Sequence, residues 1–131
     1  MAQTGYSISR KVSMTFDEAE KKVRETLKGQ GFGILTEIDV TKTLKEKINA
    51  DFRRYKILGA CNPSFAHLAL SAETEIGVMM PCNVIVYEAD GGGTVVAAVD
   101  PLASMGSVKN ELLKPIAASV REKLSAAING I

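Results

Sequence analysis

The sequence predicts an α+β fold: a mainly antiparallel sheet of about five strands with helices packed on one face, in the order β-α-β-α-β-α-β-β-α. Three observations carry this. Residues 6–14 alternate apolar and polar, as a half-buried strand does. Two β-branched runs, 82–88 and 94–100, flank the turn that contains Gly91, Gly92 and Gly93, which reads as a hairpin. Between the other strands the apolar spacing changes to a helical period. A doubly wound parallel sheet would want strands that are apolar on both faces, and these are not.

In the first strand, Tyr6, Ile8, Val12 and Met14 fall on one side and Ser7, Ser9, Lys11 and Ser13 on the other. Arg10 interrupts the apolar side. An edge position or a side chain stretched along apolar surface accounts for it, and an anion contact is the sharper alternative. Thr15 and Glu18 form a capping box, followed by Phe16, Ala19, Val23 and Leu27 at helical spacing, with Gly29 placed as the left-handed C-cap. Gly29, Gly31 and Gly33 are not a dinucleotide loop. They close a helix and open a strand, whereas that loop leaves a strand and opens a helix onto the phosphates.

Residues 32–40 form the second strand, with Ile34, Thr36, Ile38 and Val40 on one face and Leu35, Glu37 and Asp39 on the other. A short helix over 43–48 follows, opened by Thr43 and Glu46 as a second capping box; Lys42, Lys45 and Lys47 make a solvated face. Residues 52–60 form the third strand. Its Arg53, Arg54 and Lys56 read as a charged edge that discourages pairing with another sheet.

Residues 55–86 form the stretch around which the chain is organised. Both cysteines, the only histidine and two of the four prolines lie there. Asn62 and Pro63 are an N-cap and first position of a helix. Phe65, Leu68, Ala69 and Ala72 share its apolar stripe, and His67 points away from that stripe. Pro81 opens the next strand, where a missing N–H costs no ladder bond. After the hairpin, Asp100 and Pro101 break the sheet. Leu113, Ile116, Ala117, Val120, Leu124 and Ile128 then make one long apolar stripe that ends at Gly130, with Pro115 a kink or the true helix start.

The composition bounds the function. The 131 residues are sized for one domain, 1–131, with a core that needs no staples. Sixteen Lys and Arg stand against fifteen Asp and Glu, and there is no tryptophan. No basic field or base-stacking platform results, so nucleic acid is not an expected partner. Nor is a membrane, since no apolar run approaches the ~20 residues of a span. Residues 1–12 carry no export-signal core, and two cysteines make no disulfide framework. A cytoplasmic protein with reduced thiols is expected.

Several segments together resemble the bacterial and archaeal family known as domain of unknown function 302. They are residues 16–19 (FDEA), 31–40 (GFGILTEIDV), 57–63 (ILGACNP), 66–67 (AH) and 80–84 (MPCNV). The C-terminal helix matches more loosely, with Pro115 unusual. The resemblance implies a compact α+β domain that pairs as a homodimer, brings the two Cys-Asn segments forward, and implies no established activity. Leu70, off the main stripe on the flank of His67, adds an apolar side chain that such a dimer would use.

The candidate site is therefore Cys61, Asn62, Cys82, Asn83 and His67. The favoured functional reading is a module that binds a small molecule or anion around Cys61-Asn62-Pro63 and Pro81-Cys82-Asn83. Cys61 lies just before a helix start, a setting in which thiols react, so a thiol or metal site of Cys61, Cys82 and His67 is the alternative. Its C-x5-H-x14-C spacing fits no standard zinc pattern and lacks a fourth ligand. Structural cysteines with no local site are a third reading. A Cys–His hydrolase is weakest, because no group is identified to orient the histidine. A binding module is favoured over an enzyme, and no cofactor is indicated.

Overall fold

The computed structural model describes residues 4–131; the first three residues of the segment inspected for an export signal lie outside it. The elements are β1 (Ser7–Val12), α1 (Phe16–Gly29), β2 (Gly33–Asp39), α2 (Val40–Ile48), β3 (Tyr55–Cys61), α3 (Pro63–Ala72), a 3-10 turn (Thr74–Met79), β4 (Cys82–Glu88), β5 (Thr94–Val99), a one-turn α4 (Pro101–Ser104) and α5 (Leu113–Asn129). The five strands form one antiparallel sheet in the order β1-β5-β4-β3-β2. Among the described residues no helix is long and apolar enough to cross a membrane.

The alternation in each strand sends one set of side chains toward α1 and α5. Leu58, Ala60, Val84, Val86, Val96 and Ala98 meet Val23 and Leu27 of α1 and Val120, Leu124 and Ile128 of α5 in one buried cluster. The capping box of α1 is formed, with Thr15 Oγ1 accepting from Glu18 N and Glu18 Oε1 accepting from Thr15 N. Arg10 lies on edge strand β1 and donates to the carbonyl oxygens of Ile128, Asn129 and Ile131 at 3.4, 3.0 and 2.7 Å. A guanidinium there satisfies the last carbonyls of α5 and opposes the negative end of its dipole. Pro115 sits in the first turn of α5, where its missing N–H is harmless, so it marks the helix start.

Five local expectations are corrected. The left-handed residue after α1 is Gly31 (φ 86°), not Gly29. Phe32 N bonds Leu27 O and Gly31 N bonds Lys28 O, a Schellman closure that needs positive φ two residues later than expected. β2 carries a bulge between Ile34 and Thr36, so Ile34 joins the helix side while Thr36 and Ile38 turn to the other. An extra residue, Leu35, exchanges the faces. α2 starts at Val40 rather than Thr43, because Asp39 caps it by accepting from Lys42 N. The Arg53–Lys56 cluster is not a sheet edge: β3 starts at Tyr55 rather than at residue 52, so Arg53 and Arg54 precede it, and Lys56 pairs with Asp39 of β2. Its charges are matched instead: Arg53 with Asp90, Arg54 with Asp17, and Lys56 with Glu20 and Glu37. Leu68 leaves the α3 stripe and is 52% exposed; Ala69 is the residue of that helix that is fully buried.

Candidate functional site

The site develops where β3 runs out into α3 and β4 begins. Antiparallel pairing sets Ala60 opposite Cys82, so the end of one strand lies beside the start of the next. The two cysteines are consequently near neighbours, and both thiols are free and part-buried. Burial pushes the Cys82 thiol up to about 11, with the adjacent Cys61 adding to the effect. At neutral pH Cys82 is a neutral, compact apolar group rather than a nucleophile or an anionic ligand.

Cys61, Asn62 and Cys82 line one cavity of about 30 Å³, roughly the room of one or two waters. Its other walls are Phe32, Phe65 and Ala69 near α3, Ile116, Ala117 and Val120 of α5, and Met80 and Met105. The walls are almost wholly carbon and sulfur. Two methionines are adaptable walls, because unbranched thioethers repack at little cost. A surface groove of about 440 Å³ along the start of α5 shares Met105 and Ala117 with the cavity. Lys114 and Asn110 supply polar groups to that groove.

Asn62 occupies the N-cap of α3, but its side chain makes no capping bond. Its Nδ2 donates to Gln30 O at 3.3 Å and lies against Gly31. The amide thus ties the α1 closure to the start of α3, and a Cβ at position 31 would lie 3.0 Å from Nδ2 and press on it. Asn83 does not join the cavity. It is exposed, one residue beyond Cys82 and pointed to the opposite sheet face. His67, off the stripe, is exposed on α3 and does not line the cavity. Among the described residues no three His, Cys, Asp or Glu side chains gather into a group that could hold a metal ion.

The structure therefore brings three of the five sequence-chosen residues together and leaves two outside. It adds walls that the sequence reading had assigned to core, chiefly Ile116, Ala117 and Val120. Met80 and Met105 were not singled out. The signal available for them was methionine beside a structure breaker, Pro81 in one case and Gly106 in the other.

A family model described as Domain of unknown function DUF302 matches residues 8–131. The chain belongs to this family. It is also similar to a solved structure, an uncharacterized conserved DUF302 protein from Bacillus stearothermophilus, with 32% identity and a TM-score of 0.88. That match covers 94% of this chain and 95% of the other. No curated protein matches the chain. Membership extends over the cavity and every strand, so the Cys-Asn segments that first suggested the family are part of the matched region.

Proposed function

We propose that this DUF302 domain is a binding module that takes the apolar end of a small molecule into the cavity beneath α3. The observation that carries the reading is the convergence of Cys61, Cys82, Met80 and Met105 on an apolar cavity at the end of the sheet. Ligand sites are mostly apolar concavities with a few polar groups at the mouth. Here the cavity admits little more than water as it stands, so a ligand enters as Met80 and Met105 move aside. The adjoining groove then receives the rest of the molecule, and a carboxylate or other anionic group there would compete with Glu111, 3.3 Å away, for Lys114. The ligand class is a small amphipathic molecule with one apolar end.

The anion-only version of this reading has less support, because Asn62 spends its amide on Gln30 O instead of facing outward. The thiol or metal version has less as well, since Cys82 stays protonated and His67 lies elsewhere. The purely structural reading treats the cavity as a packing gap. Native mass spectrometry of freshly purified protein separates it from ours. A bound small mass that disappears in Ala69→Leu, which fills the cavity, is the expected result. Absence of any bound mass, together with no uptake of added octanoate, would overturn the proposal.

A further inference from the structure

Residues 105–112 join α4 to α5 and carry no helix or strand of their own. Gly106, Ser107, Lys109, Glu111 and Leu112 are exposed along this segment. Both of its ends are fixed. Upstream, Pro101 is buried and Asp100 caps α4, with one carboxylate oxygen accepting from Leu102 N and the other from Arg121 Nε, each at 3.0 Å. Downstream, Leu113 is buried in one cluster with Ala69 and Ile76. Between these points the backbone bonds stay local: Val108 N to Met105 O, Asn110 N to Val108 O and Leu113 N to Asn110 O, each at 3.1 Å. A segment held at its ends, with no ladder between them, belongs to the low end of local stability.

Among the described residues, Asn110 is the side chain that hydrogen-bonds this segment to another element. Its Nδ2 donates to Ala72 O, at the end of α3, and to Glu73 Oε1, both at 2.9 Å. Its Oδ1 accepts from Leu112 N at 3.0 Å, which holds the amide in that orientation. Met105 and Val108 lie against the buried cluster of Ala69, Ile76 and Leu113. Met105 and Ala117 line both the cavity of about 30 Å³ and the groove of about 440 Å³. Ala117 is fixed in α5, so Met105 is the movable partition between the two spaces. The other methionine wall is more tightly held. Met80 donates its N–H to Gly77 O at 3.1 Å and lies two residues from Cys82, which pairs with Ala60 in the sheet. Backbone movement that enlarges the cavity is therefore easiest at Met105.

We propose that residues 105–112 are a strap that opens and closes the cavity, with Asn110 as its latch. This rests on the reading of the cavity as a ligand site and names the motion that admits the ligand. In the closed form Asn110 holds the segment on α3, and Met105 separates cavity from groove. Release of both Nδ2 bonds lets the strap swing about its fixed ends. Met105 then leaves the partition and the two spaces become one. Asn110 lines the groove, and both it and Glu73 are part-exposed, so water replaces the lost partners. A ligand that occupies the merged space binds the open form alone. Its apparent affinity is the intrinsic one scaled by the open fraction, and a weaker latch raises both that fraction and the rate of entry.

Two variants of the full chain weaken the latch, Asn110→Ala and Glu73→Ala. The first readout needs no ligand. It is the rate at which methyl methanethiosulfonate labels Cys82, which lines the cavity, in native protein. Loss of a hydrogen bond to a carboxylate together with one to a carbonyl should speed labelling roughly tenfold in Asn110→Ala. Glu73→Ala keeps the bond to Ala72 O and should show a smaller gain. Both rates should stay flat in low urea, as local opening requires. The second readout is octanoate association followed by methyl NMR, which should be faster in Asn110→Ala, with a lower dissociation constant. Cys82 labelling unchanged in both variants overturns the strap, even where octanoate binds. So does labelling that climbs steeply with urea, the mark of global unfolding. Octanoate that binds neither wild type nor variant, while Cys82 labelling accelerates, overturns the ligand reading and leaves the strap standing as a cover that moves.

Discussion

Gly59→Ala should destabilise the protein by about 1–2 kcal/mol, although the same substitution elsewhere in the chain should stabilise it. Gly59 is central in β3, between Thr36 on β2 and Asn83 on β4. A Cβ there would overlap Thr36 Oγ1 and lie 2.8 Å from Pro81 Cγ. The threonine hydroxyl can rotate away; the proline ring cannot leave without its backbone. Forcing a methyl into such a place costs roughly 1–3 kcal/mol. Restricting the unfolded chain returns about 0.4–1 kcal/mol. Overpacking wins. Gly29, in the last turn of α1 with no heavy atom within 4 Å of a built Cβ, lacks the first term. Gly29→Ala should therefore stabilise, by about 0.5 kcal/mol. Urea melts of both variants, read as midpoint shifts at constant slope, make the comparison. A Gly59→Ala midpoint equal to or above wild type would refute the packing of Thr36 and Pro81 over the strand.

Leu124, fully buried against α1 and the sheet, should cost about 2–5 kcal/mol when changed to alanine, measured by the same melts. Hydrogen bonds from Lys56 and Arg24 hold the Glu37 carboxyl below its usual value of 4.5. The stabilisation is thus full above that value and lost as pH falls through the lower folded pKa. Glu37→Gln should flatten the acid limb of stability below about pH 4.5, by a small amount because the side chain is 45% exposed. With its thiol near 11, Cys82 is ionised to only about one part in ten thousand at pH 7, so it should be alkylated much more slowly than Cys61 in the native protein. Peptide mass spectrometry over time reads both rates, and equal rates would contradict the burial assigned to Cys82.

What was legible in the sequence was local. Thr15 and Glu18 define the start of α1 because a capping box is complete within four residues. The hairpin through Gly91, Gly92 and Gly93 is equally local, and all three glycines take positive φ. Leu35 was not legible: a bulge inserts one residue into a period of two, and nothing in the apolar pattern marks which residue is extra. The cluster at Arg53, Arg54 and Lys56 was misplaced because local charge does not report strand order. Its partners Asp17 and Glu20 of α1, Glu37 of β2 and Asp90 of the hairpin turn come from three other segments. The cavity divides in the same way. Cys61, Asn62 and Cys82 are visible as a pattern, whereas Met80, Met105 and the α5 residues meet them only through topology.

The central claim, that the cavity beneath α3 opens to an apolar ligand, is tested most directly by methyl NMR of [13C]methionine protein titrated with octanoate. Met80 and Met105 line the cavity, while Met14 packs against the main core and serves as the internal control. The account predicts saturable shifts of the Met80 and Met105 methyls with Met14 unmoved, and loss of the response in Ala69→Leu. Unmoved cavity methyls at saturating octanoate, or equal shifts at all three positions, would contradict it.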